Sequence, residues 1–169
     1  ADDRAAHSRD SCPAASKWTV EEREDHTPLC VVRPRSAEEV AAVLRAAAAH
    51  GVPVVPYGAG SGVVGAAVPS SRAVSVDLRA MQHISTVDAE NWLITAEAGA
   101  LGSAVEAVAN AAGFTLGHYP QSLHISTVGG WVACRGAGQL SNRYGKIEDM
   151  VYGMDVVLAD GSLITVGES

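Results

Sequence analysis

The sequence has few of the features that direct a chain to a membrane, to nucleic acid or to an oxidising compartment. No apolar run reaches the ~18 residues that span a bilayer, and no basic segment followed by an apolar stretch opens the chain. The net charge of −7 predicts no partner among nucleic acids or anionic membranes, because both require a basic surface. The three cysteines, Cys12, Cys30 and Cys134, are spaced neither as zinc ligands nor as a redox pair. We therefore expect a reduced, cytoplasmic chain without a metal site.

The order of helix and strand signals predicts an α+β architecture. Residues 1–28 are polar and aperiodic, and they predict a loose N-terminal segment. A helix is predicted to begin at Ser36, where Ser at the N-cap and Glu39 at N3 form a capping box, and to end at Gly51. Asp160-Gly161 between two apolar runs predicts a hairpin. Further strands are predicted over 29–32, 52–55, 74–78 and 92–97, and a second helix over 103–112.

A first glycine-rich segment, PYGAGSGVVG over residues 56–65, follows one of the predicted strands. Its glycines are misplaced for a dinucleotide-binding fingerprint, and no amphipathic helix follows it. The chain also contains no Gly-Lys-Ser/Thr of a Walker motif. The consecutive N–H groups of such a loop can form an anion-binding nest. Phosphate binding and a flexible turn are the two interpretations that this segment allows.

A second glycine-rich segment, ISTVGGWVACRGAG, covers residues 125–138. Ser126 and Thr127 can cap a short helix whose first turn contains Gly129 and Gly130. A helix start presents unpaired N–H groups and the positive end of the dipole, so a diphosphate could lie directly on this backbone. Close helix packing is the alternative reason for glycine here. Two such segments in one short acidic chain favour the anionic ligand.

The polar and aromatic side chains near these segments each have a structural alternative. Arg135 is predicted to pair with a phosphate, a substrate carboxylate or a surface acid. His118 and His124 are predicted to be structural or exposed rather than catalytic, because neither has a carboxylate or nucleophile nearby in the sequence. Tyr144 is either a phenol packed beside a cofactor or a half-buried filler.

Three motifs in order, PxGxGSG, PQSxxxSTVGGWVAxR and SxxYGxIED, resemble the FAD-binding domain of the vanillyl-alcohol oxidase and p-cresol methylhydroxylase (PCMH) superfamily. The resemblance extends from Leu29 to the C-terminus and is strongest to alkyl-dihydroxyacetone-phosphate synthases and bacterial FAD-linked oxidases. It implies a two-subdomain PCMH-type FAD-binding fold of the α+β class. The first subdomain would cover 29–98, and a truncated second subdomain would cover 99–169.

The resemblance also implies which residues contact FAD. Because the first segment contains neither His nor Cys, we expect noncovalent FAD. The residues around the diphosphate would be Pro56, Tyr57, Gly58, Ala59, Gly60, Ser61 and Gly62. Those beside the diphosphate and flavin ring would be Pro120, Gln121, Ser122, Ser126, Thr127, Val128, Gly129 and Gly130. The flavin wall would continue with Ala133, Cys134, Arg135 and Gly136, Tyr144 would pack beside the cofactor, and Glu148 and Val151 would lie on the adenosine side.

By the same resemblance, the chain is part of an FAD-linked oxidase or dehydrogenase, or of a flavin-dependent alkyl transferase. In that family a cap domain supplies the substrate pocket and the catalytic residues, so the catalytic residues here are unknown. We expect a small-molecule substrate bound through the missing cap, a fragment that is inactive alone, and a homodimer as one candidate assembly. The alternative is a noncatalytic nucleotide-binding or inactive remnant domain.

Overall fold

The computed structural model describes residues 3–167, which form two compact units. One unit contains the described residues through Ala80 together with those from Gly153 onward, and the other is Met81–Tyr152. Helices and short strands occur together, which confirms the predicted α+β class. The predicted subdomain limits at residues 28 and 98 stay predictions, and residues 1, 2, 168 and 169 of those ranges lie outside the described residues. Within 3–167, no helix is both long and apolar enough to cross a bilayer.

The N-terminal segment, predicted to be loose, carries local structure and buried side chains. It contains helix α1 (Asp3–Ala6), a 3-10 turn (Pro13–Lys17) and helix α2 (Val20–Asp25). Thr19 caps α2 through a reciprocal capping box with Glu22. The polar side chains of His7, Ser8 and Asp10 are buried. Hydrophobic periodicity does not reveal this order, because the buried groups are polar and are held by hydrogen bonds.

The first unit is built around a parallel sheet. Strands β1 (Cys30–Val32), β2 (Val54–Tyr57) and β3 (Val74–Asp77) pair in the order β1-β3-β2. Helix α3 (Ala37–Ala49) follows β1. Strand β2 extends beyond its predicted end at residue 55, so Pro56 and Tyr57 belong to the strand rather than to the loop. Pro56 is tolerated there because β2 is an edge strand.

Both ends of α3 confirm the predicted boundaries. The Ser36 hydroxyl accepts a hydrogen bond from the N–H of Glu39 at 3.3 Å. The Glu39 carboxylate accepts from the N–H of Arg35 at 2.7 Å, one residue before the partner that the capping box predicts. Gly51 has φ +61° and its N–H donates to the carbonyl of Ala48, as a residue that ends a helix does.

The second unit contains four short helices around a small apolar core. They are α4 (Gly102–Ala111), α5 (Val128–Ala133), α6 (Ser141–Tyr144) and α7 (Ile147–Met150). The core consists of Leu123, Trp131 and Ile147. Gly102 at the start of α4 lies against the Trp131 ring, which occupies the space that a Cβ at residue 102 would need.

The strand predicted over 92–97 is wrong. In the part of the chain that the structure describes, this stretch makes only isolated bridges, Asp88 to Leu93 and Ile84 to Ala96. Asp88 accepts the N–H groups of Glu90 and Asn91 and so forms a tight turn. Trp92 follows that turn with φ +58° and is 80% exposed. A strong local turn therefore overrides the strand propensity of the aromatic and β-branched residues.

The predicted hairpin is confirmed. Strands β4 (Gly153–Val157) and β5 (Leu163–Gly167) are antiparallel, and Gly161 in the turn between them has φ +79°. The Asp160 carboxylate accepts from the N–H and hydroxyl of Ser162. Arg45 of α3 donates to the carbonyl of Gly161 at 2.8 Å, so the turn is tied to the helix of the first unit.

A buried carboxylate lies at the end of β3. Asp77 is 1% exposed. Its Oδ2 accepts from Arg79 Nη2 at 2.7 Å, His7 Nε2 at 3.1 Å and Arg33 Nε at 3.1 Å. Arg33 also donates two hydrogen bonds to Asp3. Because a buried charge is costly unless it is paired, this network fixes α1 against the end of the sheet.

We predict that acid destabilises the protein through Asp77. Burial raises the pKa of Asp77, but hydrogen bonds from Arg79 and His7 outweigh burial and lower this pKa from 3.8 to about 2. The folded state therefore binds the proton more weakly than the unfolded state, so the stabilisation is present above pH 3.8 and is lost as pH falls through about 2. Between pH ~5 and ~2 the free energy of unfolding should fall by about 2 kcal/mol through this group.

Urea unfolding across this pH range measures the effect. In Asp77→Asn, the free energy of unfolding should fall less between pH ~5 and ~2, because the contribution of the Asp77 carboxylate is absent. The same pH dependence in the wild type and Asp77→Asn would show that this carboxylate is not the source.

Candidate functional site

The first glycine-rich loop carries consecutive backbone donors that the protein does not use. The N–H groups of residues 58–62 donate no hydrogen bond to any acceptor within the described residues 3–167. The loop is half-buried and leaves β2 at the carboxyl end of a parallel sheet, where open α/β sheets bind their ligands. A series of free N–H groups at such a position can cradle an anion.

Gly60 is required by the shape of this loop. It has φ +66°, and a Cβ at residue 60 would fall on the hydroxyl of Tyr57. The loop thus folds back closely over the last residue of β2. Tyr57 is buried, and burial raises the pKa of its phenol. Its ring therefore stays uncharged beneath a loop that is shaped for an anion.

In the second glycine-rich segment the first-turn donors are already used, so the expectation of unpaired N–H groups there is wrong. Chain 98–101 runs beside the helix start, with an antiparallel bridge between Leu101 and Thr127, and supplies acceptors. The bonds run from Val128 N–H to Ala100 O (3.0 Å), from Gly129 N–H to Ala98 O (2.9 Å) and from Gly130 N–H to Thr127 Oγ1 (3.3 Å). Thr127 is the N-cap residue, as predicted.

Close packing explains why residue 129 is a glycine. A Cβ at Gly129 would lie 2.7 Å from the Cβ of Ala98 and 2.8 Å from its carbonyl oxygen. At Gly130 the nearest atom would be Thr127 Oγ1 at 3.2 Å. The packing interpretation, which the sequence left as the alternative, therefore applies to Gly129 and not to Gly130.

Ser126 has a structural task inside this unit. Its hydroxyl donates to the carbonyl of Ser122 at 2.7 Å and accepts from Nε1 of Trp131 at 2.6 Å. Ser126 and Thr127 are both buried. Two other predicted cofactor residues, Val128 and Val151, pack against the core around Trp131.

Arg135 and Glu148 are brought together as an ion pair. Arg135 Nε and Nη2 donate to the two carboxylate oxygens of Glu148 at 2.8 and 2.7 Å. Lys146 Nζ adds a contact at 3.3 Å, and hydrogen bonds from Arg135 and Lys146 lower the pKa of Glu148 to about 2. The Arg135 side chain is 74% exposed, so the structure favours the surface-acid interpretation. Ala133 and Cys134, just before it, are exposed.

The remaining predicted residues differ in exposure: Gln121 and Tyr144 are exposed, whereas Pro120, Ser122 and Gly136 are half-buried. Tyr144 packs over Gly117, where a Cβ would come within 2.7 Å of the ring Cγ, and Gln121 is exposed in the turn that begins at Pro120. His118 is buried edge-on to Trp131 at 4.7 Å between ring centroids, and burial lowers the pKa of His118. His124 is exposed, so both histidines have the positions that the sequence predicted.

Sequence reasoning missed the N-terminal residues that contact the first loop. Ser11 donates two hydrogen bonds to the loop, from its N–H to the carbonyl of Gly62 and from its Oγ to the carbonyl of Gly60, both at 2.9 Å. No local pattern identifies this contact, because the segment is polar and the partners are far apart in sequence. Among residues 3–167, no group of three or more His, Cys, Asp or Glu side chains could hold a metal ion.

Comparisons with known proteins agree on one family. The FAD binding domain family matches residues 28–167. Alkyldihydroxyacetonephosphate synthase of Trypanosoma brucei brucei is 36% identical over 146 residues, which are 83% of this chain and 24% of that protein. The uncharacterized FAD-linked oxidoreductase YgcU of Escherichia coli strain K12 is 39% identical over 140 residues, which are 82% of this chain and 29% of that protein. The chain thus spans about a quarter of the length of the curated relatives it matches.

Solved structures give the same result. A structure of alkyldihydroxyacetonephosphate synthase has a TM-score of 0.73 at 35% identity and covers 82% of this chain and 26% of that chain. The 6-hydroxy-D-nicotine oxidase of Arthrobacter nicotinovorans has a TM-score of 0.76 at 21% identity and covers 96% of this chain and 33% of that chain. The latter shows a shared fold only. The fold and the family that the motifs predicted are therefore confirmed.

We predict different effects on stability for alanine at the two neighbouring glycines of α5. Gly129→Ala should lower the free energy of unfolding by about 1–3 kcal/mol, because the added methyl group overpacks against Ala98. Gly130→Ala should change the free energy of unfolding by less than about 1 kcal/mol, because the higher helix propensity of alanine is opposed by a contact of 3.2 Å with Thr127 Oγ1. Urea unfolding of both variants measures the difference. Equal stability of Gly129→Ala and the wild type would refute the packing explanation.

Proposed function

The chain belongs to the FAD-binding domain family, and on that premise we propose that its first glycine-rich loop binds the diphosphate of noncovalent FAD. One observation carries the proposal: the N–H groups of residues 58–62 have no acceptor within the described chain. A bound diphosphate would supply those acceptors. Hydrogen bonds to a charged phosphate oxygen are stronger than those between neutral groups.

The residues of the loop fit this ligand. Gly58, Gly60 and Gly62 place no side chain between the backbone and a phosphate, and Ser61 adds a hydroxyl donor. Arg79 lies over the Tyr57 ring at 5.4 Å from its centroid and is paired with Asp77 at 2.7 Å, so the charge of Asp77 does not oppose an anion beside the end of β2. The loop contains no His or Cys that could form a covalent bond to the flavin.

We propose that the predicted cofactor residues of the unit Met81–Tyr152 contact the flavin where their side chains are exposed. The first-turn N–H groups of α5 are used within the protein, so we assign no phosphate to them. Ala133 and Cys134 are exposed at the end of α5, and they are the strongest of these proposed contacts; the Arg135 side chain is already paired with Glu148. Pro120, Gln121 and Ser122, in the preceding turn, are the next.

We propose that the whole protein is a flavoenzyme that acts on a small molecule, either an FAD-linked oxidoreductase or an alkyl-transferring synthase. The relatives are a synthase, an FAD-linked oxidoreductase and a glycolate oxidase subunit, and they favour an enzyme over a noncatalytic nucleotide-binding domain. Bound FAD would supply the redox or group-transfer chemistry, while the protein binds and orients it. The His7–Asp77 pair is not a candidate catalytic pair, because both side chains are 1% exposed and a substrate cannot contact them. The three unpaired cysteines support the proposed cytoplasmic location.

A pair of glycine substitutions tests the loop. Gly60→Ala should displace the loop, because the added Cβ would collide with the Tyr57 hydroxyl. Losing one hydrogen bond to a phosphate costs about 1.5–3 kcal/mol, so FAD binding should weaken by about ten- to hundredfold. Gly51→Ala is the matched control, since Gly51 has the similar φ of +61° and an added Cβ would have no atom of the described residues within 4 Å. It should show only the cost of the left-handed backbone, about 1 kcal/mol of stability, with unchanged FAD affinity.

Titration of flavin fluorescence with each purified protein gives the dissociation constants. Equal FAD affinity of Gly60→Ala and Gly51→Ala would contradict the proposed role of the loop.

The noncovalent attachment has a separate test. Precipitating the flavin-loaded protein with acid should release the flavin into the supernatant, because the loop offers no attachment residue. Absorbance of the supernatant and of the redissolved pellet measures the division. Yellow colour that stays with the washed pellet would show a covalent bond.

A further inference from the structure

The N-terminal segment determines which way the donors of the first loop point. Ser11 holds the carbonyls of Gly60 and Gly62 through its Oγ and its N–H. In a planar trans peptide the carbonyl of one residue and the N–H of the next point in opposite directions. Holding these carbonyls toward Ser11 therefore turns the N–H groups of Ser61 and Val63 away from Ser11. Those N–H groups have no acceptor within residues 3–167.

His7 fixes the segment that presents Ser11. Its Nε2 contacts Asp77 Oδ2 at 3.1 Å, and its Nδ1 contacts the Asp3 carbonyl at 2.8 Å. Its ring packs against Tyr57 at 4.5 Å between centroids. Tyr57 also packs against Gly60. His7 therefore contacts both Asp77 at the end of β3 and the tyrosine on which the loop packs.

Asp10 shapes the turn between these two residues. Its Oδ1 accepts from the N–H of Cys12 at 2.8 Å, which folds residues 10–12 into a turn with Ser11 at its centre. Its side chain is buried against the loop, with Oδ2 at 3.6 Å from the Cβ position of Gly62. The segment therefore packs on the loop as well as bonding to it.

We infer that Ser11 and His7 are positioning residues for the cofactor loop, and that the segment before residue 28 completes the diphosphate site. The family match begins at residue 28, so nothing in it assigns this role. The inference rests on the proposed function of the loop. A loop that is only partly in its binding conformation has an apparent affinity reduced by that fraction, so loosening Ser11 or His7 should weaken FAD binding without changing any atom that touches FAD.

Substitutions at Ser11 test the inference with a matched control in the same segment. Ser11→Ala removes the bond to Gly60 and should weaken FAD binding by about three- to tenfold. Ser11→Thr retains the hydroxyl and should restore wild-type affinity. Ser16→Ala is the control, because Ser16 Oγ also donates to a backbone carbonyl, that of Pro13 at 2.7 Å, but not to the loop. Its FAD affinity should equal that of the wild type.

Substitutions at His7 provide a second measurement. His7→Ala should weaken FAD binding by about tenfold, whereas His7→Gln should recover part of the loss, because its amide can still donate to Asp77. All dissociation constants are measured by flavin fluorescence at a temperature where unfolding curves without FAD show each variant fully folded. A merely structural role would change those curves and leave the affinity of the folded protein unaltered.

The outcomes separate the two proposals. Weaker FAD binding in Ser11→Ala and His7→Ala, with recovery in Ser11→Thr, supports the positioning role. Unchanged affinity in Ser11→Ala and His7→Ala overturns it while the FAD site of the loop stands. A wild-type protein that binds no FAD would overturn the proposed function itself and the inference with it.

Discussion

The first unit depends on the buried carboxylate of Asp77. Its desolvation must be offset by hydrogen bonds from charged or polar donors, and those donors come from three parts of the chain: Arg79 just after β3, Arg33 just after β1, and His7 in the N-terminal segment. Satisfying this one group therefore draws the N-terminal segment onto the end of the sheet. Ser11 then reaches the glycine-rich loop as a consequence.

The two glycine-rich segments look alike in sequence but differ in whether their backbone N–H groups have acceptors within the protein. Both are rich in glycine, and either could expose donors to an anion. The start of α5 lies beside residues 98–101, and the N–H groups of its first turn donate to acceptors within the protein. Within residues 3–167, the loop after β2 has no such neighbour for the N–H groups of residues 58–62. Since a buried polar group requires a partner, only the half-buried loop keeps donors for a ligand.

Features encoded locally were predictable, and those encoded by distant contacts were not. Helix α3 and the hairpin follow from Ser36, Gly51 and the Asp160-Gly161 turn, whose capping and turn hydrogen bonds join residues close in sequence. The use of the Gly129 N–H depends on Ala98, and the burial of His7 depends on Asp77. The family and its cofactor were recognisable because the motifs retain residue order, which does not require knowing any of these contacts.

Local ion pairs reduce the repulsion that this acidic chain exerts on an anionic cofactor. The net charge is −7, but screening limits the reach of exposed charges to about 8 Å at physiological ionic strength. Near the end of β3, the negative charges of Asp3 and Asp77 are balanced by Arg33 and Arg79. With that cluster neutral and Tyr57 uncharged, the N–H dipoles of the loop are not opposed by these acids. The same ion pairs that fix the N-terminal segment thus also lower the electrostatic cost of placing a diphosphate beside it.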